Sequence, residues 1–514
     1  MFNAWDSLKL PASKPSEIKG LYIYSMTNTH QATSASAKPL RTIAAILVSG
    51  LCWYISNGLN GNFWYLLWVA PIPILLLAFR SSWKITFIAS FIAYLIGRMS
   101  WFSFLVTVAT LVPAIVFSLL TALIFALIIL ATRLTVIKTN QWFSLFAFPV
   151  FFTSFEFLLI NLSPDGTASS IAYSQSDFLP LIQIASATGI LGITFIVCFI
   201  PSAISVILFY RHKGRNMRNP VIVSAAILLI VFLFGFIRLN NKTSTNTIDV
   251  GLVVLQEKYH NITQQPDLSK EKTATELYAN EISMLAQKGA KAVVLPERAI
   301  NITKDNEADI ISILSNTAKQ NHVFIVTGYT NFRNDKERNS SLVIDDEGTV
   351  ITDYNKVHLV TGLEAQFTPG KDPGLFSINQ THAGTAICKD LDFPYYINKY
   401  GGSSTNILFI PAWDFIVDDW LHSRMAILRG VENGFSEVRT ARQGRLTISD
   451  AYGRVNYEAT CANGNAASLI GKVYINNPGT FYLHYSNWLG IACCIAAASF
   501  IFYSFRNLSR VNNS

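Results

Sequence analysis

Long apolar runs separated by short polar joints occupy the chain from residue 42 to about 238, and beyond 239 the pattern shortens into alternating β-rich and helical stretches. A run of about 20 apolar residues spans the roughly 30 Å hydrocarbon layer of a bilayer. On that measure the pattern predicts membrane helices near 42–59, 63–79, 85–104, 106–131, 142–161, 179–209 and 220–238. One more, "NWLGIACCIAAASFIFYSF" at 487–505, follows the polar stretch. The expected fold is a multi-span α-helical membrane domain of about eight helices, with an extramembrane domain inserted before the last. The expected divisions are a polar leader (1–41), seven helices (42–238), the inserted domain (239–486), the last helix (487–505) and a tail (506–514).

Inside the inserted domain "IDVGLVVLQ", "AKAVVLPE", "HVFIVTGYT", "HAGTAICKD", "TNILFIPAWD", "SEVRTAR", "LTISD" and "AASLIGKVYI" read as strands. "SLVIDDEGTVITDYNK" reads as a hairpin turning at Asp-Glu-Gly, and helical patterns fall near 269–288, 306–320 and 416–433. Such alternation argues for layered α/β packing.

Composition supports the membrane reading, with 51% hydrophobic and only 14% charged residues. Charge then orients the helices. Lys38 and Arg41, Arg80 and Lys84, Arg133 and Lys138, the group Arg211, Lys213, Arg215 and Arg218, and Arg506 and Arg510 fall in alternate joints. The joints near 58–62, near 105 and at 162–178 hold no Lys or Arg. The positive-inside rule places both termini in the cytoplasm and residues 239–486 on the other side. The same bias accounts for much of the net charge of +8 without a nucleic-acid partner. No signal-peptide layout precedes the first run, which reads as an uncleaved span. Arg98 lies inside the third run; snorkelling is the ordinary reading and lining a cavity the alternative.

Of six cysteines only Cys388 and Cys461 lie in the inserted domain, so no disulfide framework is expected, and the eight histidines show no metal-ligand spacing. No cofactor is expected. Three residues at predicted strand ends carry possible chemistry: Glu297 in "VVLPERAIN", Lys356 in "ITDYNKVHLV" and Cys388 in "TAICKD". A carboxylate can take a thiol proton, and an ammonium can stabilise both the thiolate and the oxyanion of a tetrahedral intermediate. Each also has an ordinary reading, as surface carboxylate, solvated cation and buried strand end.

The ordered contexts "LPE…YNKVHLV…ICKD…PAWD…RGVENG…RTARQG…SDAYGRV" resemble the nitrilase superfamily of carbon–nitrogen hydrolases. Combined with the insertion before the last of eight spans, the chain resembles the apolipoprotein N-acyltransferase family. The resemblance implies an αββα sandwich, with Glu297 as general base, Lys356 as stabiliser of thiolate and oxyanion, and Cys388 as the acylated nucleophile. It implies Glu364 in "HLVTGLEAQFTPG" as support for the lysine, Asp390 at the acidic position after the nucleophile, and the Lys389 backbone N–H as an oxyanion donor. It further implies a monomer in the bacterial cytoplasmic membrane that takes an acyl chain from a phospholipid and passes it to a diacylglyceryl-modified apolipoprotein.

The chain departs from the family at Lys389 and Asp390, where an aromatic and a glutamate are usual, and in "TGLEAQFTP" and "PAWDFIVDDW". Phe367, Trp413, Phe415, Ile416 and Trp420 read as lid or entrance residues, or else as core. Arg439 and Arg442 read as ion-pair partners rather than phosphate ligands. The alternatives are a membrane-tethered amidase or nitrilase-type hydrolase, and a non-catalytic lipid-binding scaffold.

Overall fold

A computed structural model describes residues 39–512 apart from 57–58, 242–243, 261–265, 334 and 476. The leader up to residue 38 lies outside the described residues.

Among the described residues seven helices are long and apolar enough to cross a membrane: Pro39–Ser56, Trp83–Ala109, Leu111–Thr139, Trp142–Leu162, Ile190–His212, Arg218–Leu239 and Trp488–Arg506. The expected helix at 63–79 is instead a 3-10 turn, Trp64–Trp68, followed by a seven-residue helix, Ile72–Ala78, with prolines at 71 and 73 breaking the regular bonding. The expected run at 179–209 is also divided. Gly189 at φ +64 ends a short helix, and a Cβ there would lie 2.4 Å from the Tyr482 ring, so only Ile190–His212 is long enough.

The segment between residues 61 and 81 nevertheless packs within the helix bundle, with contacts at both of its ends. At one end Gly61 lies against Trp420, and the Trp68 indole donates to Gln175 at 2.8 Å. At the other end the Ser81 carbonyl accepts from Arg133 at 2.8 Å, and Arg215 donates to the Asn140 carbonyl at 2.6 Å. Basic joints thus gather at the end away from the inserted domain. Large apolar side chains such as Val112, Leu229 and Phe502 are exposed on the bundle exterior, as a lipid-facing surface requires. Arg98 does not snorkel: it is 2% exposed, and its guanidinium lies 5.0 Å from the Trp101 ring and 5.4 Å from the Phe117 ring, whose faces attract a cation.

The inserted domain contains two sheets. One runs in the order Ala467–Tyr474, Thr247–Val254, Ala292–Val294, Phe324–Phe332, Arg338–Ile344 and Val350–Asn355, with Ile300–Thr303 also paired to Phe324–Phe332. The other runs Val455–Thr460, Arg445–Ser449, Ser436–Arg442, Ile407–Trp413, Thr381–Thr385 and Gly374–Ile378. Period-two alternation divides the first strand between two cores. Val250, Leu252 and Val254 meet Ile407, Phe409 and Val438 of the other sheet, whereas Val253 faces Tyr278 and Ile282 of the helix Leu268–Gln287. The second sheet packs outward on Pro394–Gly402 and Asp419–Asn433, completing a nitrilase-like αββα sandwich.

Helix Asp419–Asn433 joins the two parts of the molecule. Its Ala426 belongs to the sandwich core, while Trp420, Leu421, Met425, Leu428 and Val431 belong to the core of the helix bundle. The helix is buried on all sides although it is not apolar throughout: its Arg424 is paired with Asp177 and Glu458, and its Arg429 with Glu432.

Candidate active site

The sheets converge where several strands end. Glu297 lies three residues beyond Ala292–Val294, Lys356 directly follows Val350–Asn355, and Cys388 lies three beyond Thr381–Thr385. The Glu297 N–H donates to the Ala412 carbonyl at 3.2 Å, tying one sheet to the other at the site.

Lys356, 1% exposed, is held between two carboxylates: its Nζ lies 2.8 Å from Glu297 Oε1 and 2.9 Å from Glu364 Oε2. Asn339 bridges the same pair, its side-chain amide donating to each at 2.6 Å. Glu364 also accepts from the Val360 N–H at 2.7 Å. Burial raises the Glu297 carboxyl above its ordinary range against the pull of Lys356, and the charge of Glu364 adds to the rise. Burial acts upward on Glu364 too, but Lys356 and the Val360 N–H prevail and hold it below the ordinary range. On Lys356 burial acts downward, and the two carboxylates override it to keep the amine charged.

Cys388 is partly buried, with φ +42, a left-handed conformation that is uncommon outside glycine and marks an imposed turn. It opens the 3-10 turn Cys388–Asp392, and its Sγ lies 3.6 Å from the Trp413 carbonyl. Burial pushes the thiol well up, the Glu297 charge adds to this, and Lys356 and Arg439 oppose it. The resting group is therefore a thiol beside a carboxylate of raised proton affinity. A carboxylate of this kind can take a thiol proton, and an ammonium nearby can stabilise the thiolate that results.

Asp390 secures the turn from within the sandwich. Its carboxylate accepts from the backbone N–H groups of Ile387 at 3.0 Å, Val357 at 3.1 Å and His358 at 2.8 Å, and from the Tyr354 hydroxyl at 2.6 Å. It thereby couples the Cys388 turn to the residues after Lys356. The Lys389 ammonium pairs with Asp165 of the membrane part at 2.6 Å, while its backbone N–H makes no hydrogen bond to another described residue.

The aromatic residues flanking the site divide by environment. Phe367 is buried under the Arg298 guanidinium, 5.1 Å from the ring, and Trp413 is stacked by Arg442 at 4.0 Å. Phe415 packs on the bundle core near Phe104. Trp420 is a buried wall, its indole donating to Asp177 at 3.2 Å. Ile416 and its neighbour Val417 project outward, 46% and 44% exposed. Arg439 forms a two-pronged pair with Asp414 at 2.5 and 2.9 Å, and Arg442 pairs with Glu257.

A carbon–nitrogen hydrolase type of sandwich, with a carboxylate, an amine and a thiol at its strand ends, is here mounted on a bundle of membrane-length helices. Two family models match in that order: "Apolipoprotein N-acyltransferase N-terminal domain" over residues 49–203 and "Carbon-nitrogen hydrolase" over 258–461. The chain belongs to the apolipoprotein N-acyltransferase family, within the nitrilase superfamily. It is similar to the apolipoprotein N-acyltransferase of Geobacter metallireducens, with 25% identity over 86% of this chain and 92% of that one. It is also similar to the enzyme of the same name from Aquifex aeolicus, with 24% identity over 75% of this chain and 89% of that one. Among solved structures, the NitN amidase from Neterenkonia sp. AN1 aligns with a TM-score of 0.39 and 16% identity, over 47% of this chain and 99% of that one.

Proposed function

We propose that the protein transfers a fatty acyl chain from a phospholipid, through a thioester on Cys388, to the α-amino group of the S-diacylglyceryl cysteine that begins an apolipoprotein. The observation that carries the reading is the Lys356 ammonium clamped by Glu297 and Glu364 at the Cys388 turn, in a domain seated on membrane helices.

In the first half-reaction Glu297 accepts the thiol proton as Sγ attacks the ester carbonyl. The resulting oxyanion is met by the Lys356 ammonium and the Lys389 N–H. Collapse breaks the ester C–O bond, and the lysophospholipid alkoxide leaves with the proton from Glu297. In the second half the acceptor amine attacks the thioester and gives its proton to Glu297, which returns it to the departing sulfur. The amide product and the free thiol restore the starting state.

Membrane mounting suits such substrates, because withdrawing an acyl chain from a bilayer costs about 0.8 kcal/mol per CH₂. The gathering of basic joints at the end away from the sandwich supports cytoplasmic termini and an extracytoplasmic catalytic domain in a bacterial cytoplasmic membrane.

The test is intact-mass spectrometry of the purified protein after incubation with phospholipid, alongside Cys388→Ser. A hydroxylamine-labile acyl adduct on the wild type alone, discharged by a diacylglyceryl-cysteine peptide with formation of its N-acyl product, is expected. Absence of the adduct, or discharge only to free fatty acid, would overturn the proposal.

A further inference from the structure

The turn that carries Cys388 is gripped by the membrane part as well as by the sandwich. Both the backbone N–H and the hydroxyl of Thr167 donate to the Asp392 carbonyl, at 2.9 and 3.0 Å. Gly166, at φ +51, passes so close that a Cβ there would lie 2.3 Å from the same oxygen. Asp165 takes the Lys389 ammonium at 2.6 Å. Three consecutive residues of the joint after Trp142–Leu162 therefore hold the second and last residues of the turn Cys388–Asp392.

The grip is anchored in turn. The Tyr173 hydroxyl donates to Thr167 Oγ1 at 2.6 Å and accepts from Arg429 at 3.3 Å, and Arg429 lies 3.0 Å from Glu432. Glu432 accepts from the Ile190 N–H at 2.9 Å, at the start of the span Ile190–His212. A continuous polar chain thus links the start of a membrane helix to the nucleophile turn.

Such a turn needs restraint because a left-handed cysteine relaxes unless its surroundings over-determine it. Asp390 supplies restraint at one point, and the membrane joint supplies it at two others. The contacts also keep the Lys389 charge from facing the thiol as a free cation, since Asp165 neutralises it.

We propose that Asp165, Gly166 and Thr167 are positioning residues, by which the membrane part sets the direction of the Cys388 thiol and the Lys389 N–H. The proposal rests on the reading of Cys388 as the acylated nucleophile. None of the three needs to touch lipid: they act on the reaction through the turn, so they govern the rate of thioester formation rather than phospholipid affinity.

The test follows Cys388 acylation by time-resolved intact mass at varied phospholipid concentration, on full-length wild type, Thr167→Val, Thr167→Ser and Asp165→Asn. Misplacement of the nucleophile by an ångström predicts a maximal acylation rate about 10- to 100-fold lower in Thr167→Val, with the half-saturating phospholipid concentration unchanged. Thr167→Ser, which keeps the hydroxyl, restores the rate. Asp165→Asn tests the grip at an exposed side chain whose change leaves the core intact, and a several-fold fall in rate is expected. Wild-type rates in both Thr167→Val and Asp165→Asn would overturn the inference while leaving the nucleophile assignment standing. So would a change confined to the half-saturating concentration, whereas a wild type that forms no adduct overturns the assignment itself.

Discussion

Gly328 lies directly beneath Glu297: a Cβ at 328 would fall 2.6 Å from the Glu297 Cα and 2.5 Å from the Pro296 carbonyl oxygen. Both neighbours are backbone atoms and cannot swing aside. Glu297 therefore occupies its place beside Lys356 only because residue 328 lacks a side chain. Gly328→Ala is expected to push the Glu297 backbone outward and lengthen the 2.8 Å contact with Lys356. The folding penalty should be that of overpacking, about 1–3 kcal/mol. Acylation should slow by about 100-fold. Thermal unfolding and the adduct-formation rate, measured on the same preparation, check both expectations.

In the proposed mechanism Glu297 must be ionised to accept the thiol proton, so the acid limb of the pH–rate profile should belong to it. Burial raises its pKa, so the limb should lie above the ordinary glutamate value of about 4.3. Two neighbours should move it in opposite directions. Glu364→Gln removes a negative charge that raises Glu297 and leaves Lys356 wholly to it, so the limb should shift towards lower pH while the maximal rate falls. Asn339→Ala removes a hydrogen bond that lowers Glu297, so the limb should shift towards higher pH. Acylation rates from pH 4 to 8 measure both, and shifts of the same sign would exclude Glu297 as the titrating base.

Asn339 also shows where reading the sequence ends. The Asp-Glu-Gly turn was legible, and in the structure Asp345 accepts from the Glu347 and Thr349 N–H groups, with Gly348 at φ +83. Counting back from the pairing Ile344 with Val350 would place Lys356 opposite Arg338. The register shifts between Val343 and Ile344, so Ser340 pairs with Asn355 and the Lys356 N–H reaches the Asn339 carbonyl at 2.9 Å. A bulge of one residue changes which side chain reaches the site, and no residue in "RNSSLVIDDEGTVITDYNK" announces it. Strands such as Val455–Thr460 and the helix Pro394–Gly402 leave little trace in the sequence because they are short and largely polar or aromatic, with little period to detect. The Glu-Lys-Cys order and the paired glutamate were visible because family contexts surround them. The grip of residues 165–167 was not, because it joins positions more than 220 apart and depends on the docking of two parts of the molecule.

Asp390 gathers three backbone N–H groups and the Tyr354 hydroxyl on one carboxylate, with the His358 ring Nδ1 also 3.2 Å away. Asp390→Asn keeps the shape but removes the charge and presents an N–H₂ where an acceptor stood. At least one buried donor must then go unpaired, at a cost of about 1–3 kcal/mol. The loss should be read in both stability and rate, since the released turn carries Cys388. Chemical denaturation and the adduct assay should therefore fall together. A variant with full stability and full rate would show that the membrane-side contacts hold the turn unaided.

His422 should make stability depend on pH on the alkaline side. Burial acts to lower its pKa, but Asp418, 2.6 Å away, with Asp414 and Asp392, raises it to about 9. The folded protein thus holds a proton that the unfolded chain releases near the ordinary value of 6.5. A raised folded-state pKa contributes stability in full below about pH 6.5, and that contribution disappears as pH rises through about 9. His422→Gln should therefore be less stable than the wild type at pH 6, and the difference should close by pH 10. Detergent-solubilised unfolding midpoints of the two proteins at half-unit intervals isolate the effect, because every other titrating group is common to both. A constant difference across the range would mean that His422 is buried neutral and that its contact with Asp418 is a hydrogen bond without an ion pair.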